Sequence, residues 1–220
     1  MSKPYTEDDL SRHIQQDRTW RLKEISDLKS ITVRSDEISQ TVLLRALVAI
    51  CYAHWEGSVR FAARRFLEHI ALRRLQYREL DPQFRRNYFL PRLAALSVTK
   101  TSLSERCALV DEILMSSDRR FSRANDDLVN TRSNLNSDVF RDICLVCGIP
   151  FGQFEGEAHF IDVLLLKRRN EIAHGEDTRI GIEDLDDVTN RTLALMRGFG
   201  NCIENRVYQR EYRVASPVGE

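Results

Sequence analysis

The chain has 220 residues and a net charge of zero, with 33 lysines and arginines against 33 aspartates and glutamates. Its 42% hydrophobic content, with only 9 glycines and 5 prolines, excludes a disordered or fibrous protein and favours a helical one. No apolar run approaches the roughly eighteen residues of a membrane span, and the polar start lacks the apolar core of a signal peptide. We therefore expect a soluble, cytoplasmic, all-α protein with no membrane partner.

The cysteines favour a reduced protein. There are five, an odd number, and most lie within apolar helical patterns, which is typical of buried thiols and not of a disulfide framework. Cys144 and Cys147 have the spacing of half a zinc site, but no second pair accompanies them. We expect these two residues to pack in the core, and we expect neither a metal site nor a cofactor.

The neutral total hides an uneven distribution of charge. Nine arginines but only three acidic residues lie between Arg60 and Arg92, whereas six acidic residues and one arginine lie between Glu176 and Asp187. Aromatic residues are interleaved with the arginines, and this combination can neutralise RNA phosphates and stack on bases. The basic stretch either contacts RNA or forms an ordinary solvated helix face, and the sequence leaves both interpretations open.

The N-terminal part is predicted to be one helix. Thr6, with Asp9 three residues later, resembles a capping box, and the apolar periodicity that follows predicts a helix to about Leu28. The β-branched stretch Ile31–Ser35 then predicts an extended linker. We accordingly divide the chain into an N-terminal helical extension, residues 1–34, and a helical domain, residues 35–220.

The rest of the chain is also predicted to be helical. Apolar residues recur at helical spacing from Ile38 to about Gln76, which predicts one very long helix. Ser102-x-x-Glu105 is a capping box that predicts another helix. The polar segment 118–136 is predicted to be an exposed loop or a ragged short helix, and Ser137 is predicted to cap a short helix that ends at Gly148. No strand is predicted.

Chemically useful residues concentrate at the end of a predicted helix from about Glu155 to His174. Arg169 and Asn170 end its apolar run, and His174 precedes the helix-stopping Gly175. Asn170 and His174 share a helix face, and Arg169 is long enough to reach the same pocket. These residues either handle phosphate or form a plain helix end, with a salt-bridged arginine and a histidine near the terminal carbonyls.

A second polar cluster, Tyr52-Ala53-His54-Trp55-Glu56-Gly57, lies in the middle of the longest predicted helix. In the simpler interpretation Trp55 is a core residue, and His54 and Glu56 form hydrogen bonds between helices. In the alternative, Tyr52, His54 and Glu56 support the residues at the other helix end or contact substrate there.

Both clusters carry a resemblance to the HEPN superfamily. Arg169-Asn170-x-x-x-His174 matches the Arg-polar-x-x-x-His form of its motif, and the chain is similar to the MAE-type and RiboL-PSP-type members. The similarity covers about Gln40 to Ile203. The supporting segments are Tyr52–Gly57, Asn134–Phe140, the Leu145-x-x-Gly148 turn and Ile161–Leu165.

The resemblance implies an HEPN-like helical bundle with long antiparallel core helices, and a homodimer that brings two motifs into one cleft. It also implies metal-independent endoribonuclease activity, with a 2′,3′-cyclic phosphate and a 5′-hydroxyl as products. His174 would transfer protons, Arg169 would hold the scissile phosphate, and Asn170 would orient the histidine or the substrate. Arg168 would make a secondary phosphate contact.

Two main functions remain open at this point, and a DNA-directed nuclease is a weaker third one, because a mechanism through a 2′-hydroxyl cannot act on DNA. The first is a dimeric ribonuclease that acts on RNA as a toxin or in antiviral defence, with an antitoxin or defence-system protein as a further partner. The alternative is a non-catalytic HEPN module for dimerisation or for binding nucleotides or RNA. In HEPN toxins inactivated by a nucleotidyltransferase, a tyrosine lies two residues after the histidine. Here that position is Glu176, so a partner of that kind is not expected.

Overall fold

The computed structural model describes residues 3–98 and 101–214, and within them the chain is helical with no strand. The predicted all-α class is therefore confirmed. The seven α-helices are α1 (Glu7–Arg34), α2 (Glu37–Leu72), α3 (Pro82–Val98), α4 (Leu103–Leu114), α5 (Ser137–Val146), α6 (Arg168–Ala173) and α7 (Asp184–Tyr208).

Three long helices form the core. α2 packs against both α1 and α7, and α1 also packs against α7. The side chains of Trp55, Phe66 and Ile70 on α2 are completely buried. α1 runs antiparallel to α7, because Arg18 contacts Asn201 while Lys29, eleven residues later, contacts Thr189. The predicted antiparallel arrangement of long core helices is present in this pair.

The first helix is longer than predicted. Its capping box is confirmed, since Thr6 and Asp9 exchange two hydrogen bonds of 3.0 Å. The extended linker predicted over Ile31–Ser35 is wrong, because α1 continues to Arg34. Thr32 is fully buried and its hydroxyl donates to the carbonyl of Leu28 at 2.8 Å, so tertiary packing outweighs the weak helix propensity of this stretch.

The connection between α1 and α2 consists of Ser35 and Asp36 alone. Asp36 caps α2, and its carboxylate accepts hydrogen bonds from the backbone of Ile38 at 3.1 Å and of Ser39 at 3.0 Å. The boundary predicted after residue 34 coincides with the end of α1. The division into an extension (1–34) and a domain (35–220) stays a prediction.

Within the described residues, α2 is the one helix long and apolar enough for a membrane span by length and composition alone. Its best window has a mean hydropathy of 1.2, and 39% of that window is buried inside the protein. The expectation that no apolar run approaches the length of a membrane span therefore does not hold for α2. Burial against α1 and α7 therefore accounts for only part of the apolar composition.

The segment between α4 and α5 is less exposed than predicted. The capping box that begins α4 is confirmed, with the backbone of Glu105 donating to Ser102 at 3.2 Å. After α4, the polar segment contains two short 3₁₀ turns, which is closer to the predicted ragged helix than to a plain loop. Phe121, Val129 and Leu135 are buried and fix it against the core.

Two predictions around α5 differ in outcome. The predicted cap Ser137 is wrong: Asn136 caps α5 and accepts a hydrogen bond from the backbone of Val139 at 2.8 Å. Ser137 instead begins the helix and donates to another element. Cys144 and Cys147 are buried as predicted, and burial raises the pKa of the Cys147 thiol to about 12.

The predicted helix from about Glu155 to His174 has three local geometries. A 3₁₀ helix, Gly152–Glu157, precedes a π-helical segment, Phe160–Lys167, which runs directly into α6. π-helical geometry is rare and frequently occurs at functional sites. Gly175, with φ of 76°, ends α6 as predicted.

Candidate active site

Arg169 occupies a pocket between α6, α2 and the turn before α5. Its guanidinium carbon lies 4.1 Å from the centroid of the Tyr52 ring, and its Nη2 donates to the carbonyl of Ser133 at 2.7 Å. The nearest carboxylate oxygen, of Glu56, is 4.0 Å away. The Arg169 Nε is buried without a hydrogen bond. The arginine is therefore oriented by its own chain, and its charge is only loosely neutralised.

An unusual turn supplies the Ser133 carbonyl. Arg132 and Ser133 have φ values of 53° and 58°, in the left-handed region that residues other than glycine rarely adopt. Each such residue costs about 1–2 kcal/mol. The backbone of Arg132 donates to the side chain of Asn130 at 2.8 Å, and the backbone of Asn134 donates to the carbonyl of Thr131 at 3.0 Å. Strain of this kind is often located at functional sites.

Side chains of α2 hold the same turn from the other side. The Tyr52 hydroxyl accepts a hydrogen bond from the backbone of Leu135 at 2.6 Å. The hydroxyl of Thr131 donates to the carboxylate of Glu56. Tyr52 and Glu56, one helical turn apart, therefore contact both Arg169 and the turn that faces it. Burial raises the pKa of Tyr52, so its hydroxyl stays neutral.

Asn170 and His174 continue the site towards the surface. The amide of Asn170 lies 3.4 Å from the side-chain oxygen of Asn134, a long hydrogen bond. His174 caps α6, and its backbone donates to the carbonyl of Asn170 at 2.9 Å. Its ring is exposed and has no hydrogen bond or ion pair with the described part of the chain. The imidazole therefore faces solvent at the end of the helix.

The segment after His174 is also tied to α2, through a residue that sequence reasoning missed. The guanidinium of Arg45 donates to the carbonyls of Glu176 at 2.8 Å and Thr178 at 2.9 Å. Arg45 precedes Tyr52 by seven residues, so the two share a face of α2. The seven-residue spacing could have placed Arg45 on the same face as Tyr52. It could not have indicated that its partners are backbone carbonyls 131 and 133 residues later in the chain.

Asp162 is a second supporting residue, and no local sequence signal indicates its role. It lies in the π-helical segment, and its carboxylate accepts hydrogen bonds from the backbone and the hydroxyl of Ser137, at 2.7 Å and 2.6 Å. This contact joins the segment before the motif to the beginning of α5. A carboxylate at a helix N-terminus is also favourable electrostatically.

Arg168 and His54 lie outside this group of residues. Arg168 donates to the carboxylate of Asp184 at 3.0 Å, at the beginning of α7. His54 is on the other side of α2, where its Nδ1 is 3.4 Å from Arg21. The Glu24 carboxylate lies 2.7 Å from its Nε2. Of the three α2 residues considered, the structure thus brings Tyr52 and Glu56, but not His54, to Arg169.

Metal ligands do not converge at this site. In residues 3–98 and 101–214, no group of three His, Cys, Asp or Glu side chains is placed to hold a metal ion. The chemistry that the described residues offer here is therefore that of a guanidinium, an amide and an imidazole at one end of α6.

The family comparison covers this whole arrangement. No curated protein and no solved structure matches the chain significantly. The family model described as RiboL-PSP-HEPN matches residues 16–205, from within α1 almost to the end of α7. The match includes the turn around Ser133 and the complete motif from Arg169 to His174, and it confirms the predicted resemblance over a longer span. This chain belongs to the RiboL-PSP-HEPN family, within the HEPN superfamily.

Proposed function

We propose that this protein is a metal-independent endoribonuclease in which two copies of the Arg169–His174 motif act together. HEPN domains are often ribonucleases, and they typically bind RNA and dimerise. The observation that carries the proposal is the contrast at the two ends of the motif. Arg169 is held in one orientation with its charge loosely neutralised, whereas the His174 ring is exposed and has no partner in the described chain.

The proposed reaction is attack of a ribose 2′-hydroxyl on the adjacent phosphorus. An imidazole accepts the 2′-hydroxyl proton, the P–O5′ bond breaks, and a protonated imidazole gives a proton to the leaving 5′-oxygen. The products are a 2′,3′-cyclic phosphate and a 5′-hydroxyl. Each chain supplies one His174, so a homodimer that places two copies in one cleft would supply both the acceptor and the donor.

Arg169 would stabilise the negative charge that develops on the phosphate oxygens. A planar guanidinium suits bidentate contact with phosphate, and its contact with Tyr52 leaves the charge available. Asn170 would orient the substrate or His174, aided by Asn134. The proposed secondary contact from Arg168 requires its ion pair with Asp184 to open, so its contribution should be smaller.

The test is cleavage of labelled RNA by purified protein in EDTA, with analysis of the product ends. His174→Ala should lower the rate at least about 100-fold, the lower range for loss of a general acid or base. His159→Ala is the matched control, because His159 is also exposed and lies at the beginning of the π-helical segment. Full activity of a folded His174→Ala protein would disprove the assignment.

A non-catalytic binding or dimerisation module is the second candidate. The observation that favours it is that Arg169 already bonds to Ser133 and lies on Tyr52, with its side chain only 23% exposed. In that case Arg169 would be structural. RNA binding without cleavage of any RNA in a broad panel would favour this candidate over the nuclease.

We further propose that the nuclease acts in the cytoplasm as a toxin or antiviral-defence effector, restrained by an antitoxin or defence-system partner. The motif chemistry is the support, since an unrestrained ribonuclease would damage its host. Induced expression of the wild type should stop growth, and expression of His174→Ala should not. Equal toxicity of the two proteins would contradict this role.

A further inference from the structure

An arginine-rich cleft lies beside the candidate active site. It has a volume of about 660 Å³ and is lined by α2, by Arg21 of α1 and by the segment that follows α4. Phe61 lies in its wall, partly exposed, with the guanidinium of Arg65 5.4 Å from the centre of its ring. The charged side chains that line the cleft are Lys3, Arg21, Arg60, Arg64, Arg65, Arg123, Glu68 and Asp126.

Only part of this positive charge is neutralised, and Arg21 is paired outside the cleft, with Asp17 at 2.8 Å. The two acidic residues of the cleft are already paired, Glu68 with Arg65 at 2.7 Å and Asp126 with Arg64. Arg60 and Arg123 are exposed and form no ion pair with the described residues. A concave surface with unpaired guanidinium groups on both walls favours a polyanion over a neutral ligand.

The cleft and the candidate active site have two walls in common, α2 and the segment before α5, whereas Arg21 of α1 lines only the cleft. On α2, Arg60 follows Glu56 by one helical turn, a rise of about 6 Å along the axis. On the other wall, the segment that carries Arg123 continues through the 3₁₀ turn Asp126–Val129 to Ser133, whose carbonyl accepts from Arg169. A bound strand that extends from the motif along α2 therefore enters the cleft.

We propose that this cleft binds backbone phosphates of single-stranded RNA next to the scissile phosphate, with Arg60 and Arg123 as the phosphate contacts. Phe61 provides an aromatic face on which a base can stack. The volume is within the range of small-ligand pockets, which suits a short single-stranded segment and not a duplex. This inference rests on the proposed nuclease function and extends it to the substrate on one side of the cut.

The experiment measures RNA affinity in a His174→Ala background, where binding is separated from cleavage. Fluorescence anisotropy with a labelled single-stranded oligonucleotide is recorded at several salt concentrations. Arg60→Ala with Arg123→Ala should weaken binding and reduce the slope of log affinity against log salt by about 1.4, because each single-strand phosphate contact contributes about 0.7.

Arg85→Ala with Arg197→Ala is the matched control. Both arginines are exposed and lie outside the cleft, so the same charge is removed elsewhere. The control should lower affinity less and keep the slope. Equal effects of the two double variants would overturn the proposal, as would unchanged RNA binding by the Arg60/Arg123 variant.

Cleavage by proteins that retain His174 separates this inference from the proposed function. The Arg60/Arg123 double variant should cut long RNA more slowly and cut a dinucleotide, whose single phosphate is the scissile one, at the wild-type rate. If the wild type cleaves RNA and the double variant binds and cuts long RNA normally, the proposed RNA-binding role of the cleft is wrong but the nuclease function stands. A wild type that cleaves nothing would overturn the nuclease function, whatever the binding result.

Discussion

The guanidinium carbon of Arg169 lies 4.1 Å from the centroid of the Tyr52 ring, so an aromatic face orients the arginine proposed to bind phosphate. A close carboxylate would orient it too, but would also neutralise it. The nearest oxygen of Glu56 is 4.0 Å away and its carboxylate also accepts from Thr131. The contact with Tyr52 thus fixes the guanidinium while leaving most of its charge available to a phosphate.

The first prediction concerns the other contact of Tyr52. Tyr52→Phe keeps the ring under Arg169 but removes the hydroxyl that accepts from the buried backbone of Leu135. An unsatisfied buried donor costs about 1–3 kcal/mol, and urea denaturation should show a loss of that size. Tyr208→Phe is the control and should cost less than about 0.5 kcal/mol, because Tyr208 is half exposed. Equal losses would mean that the Leu135 contact contributes little.

The second prediction separates two adjacent arginines. Arg169→Lys keeps the charge but loses the planar group that both lies on Tyr52 and bonds to Ser133, so cleavage should fall at least about tenfold. Arg168→Lys should cost less than half the activity, since Arg168 is engaged by Asp184. Rates with labelled RNA provide the measurement. A larger loss of activity in Arg168→Lys than in Arg169→Lys would mean that Arg168, and not Arg169, is the main phosphate contact.

The third prediction concerns the segment after the motif. Arg45→Ala removes two hydrogen bonds to the carbonyls of Glu176 and Thr178, so the backbone that follows His174 should open more often. Hydrogen exchange of a peptide covering 175–180 should accelerate. Arg34→Ala, an exposed arginine at the end of α1, is the control and should leave that peptide unchanged. Unchanged exchange in Arg45→Ala would contradict the role assigned to Arg45.

The parts of the fold that could be predicted depend on local signals. The caps at Thr6 and Ser102 and the glycine that ends α6 each require particular residues within a few positions, and all three are present as predicted. The continuation of α1 through Thr32 was missed, because it depends on burial against other helices and not on propensity.

The motif could be found in the sequence, but its setting could not. Arg132 and Ser133 adopt left-handed backbone without the glycine that usually signals it. The contacts that support this turn come from Tyr52 and Glu56, more than seventy residues earlier in the chain. Such long-range contacts leave no periodic trace in a single sequence, which is why His54 and Glu56 could not be distinguished beforehand.

The fourth prediction is a pH dependence of stability that originates in buried histidines. Burial lowers the pKa of His54, and the neighbouring Arg21 lowers it further, while Glu24 and Asp17 oppose the shift. Burial is also the main cause of the lowered pKa values of His13 and His69. The folded protein therefore binds fewer protons than the unfolded chain between the folded pKa values and the unfolded value of about 6.5.

The sign follows from that difference in protons. The free energy of unfolding should be unaffected by these groups above about pH 6.5 and should fall as the pH drops below it, until the folded pKa values are passed. Urea denaturation at pH 7.5, 6.5 and 5.5 measures the slope. His54→Gln should reduce the slope, whereas His159→Gln, at an exposed position, should keep the wild-type slope. A steeper decline in His54→Gln than in the wild type would contradict the assignment to His54.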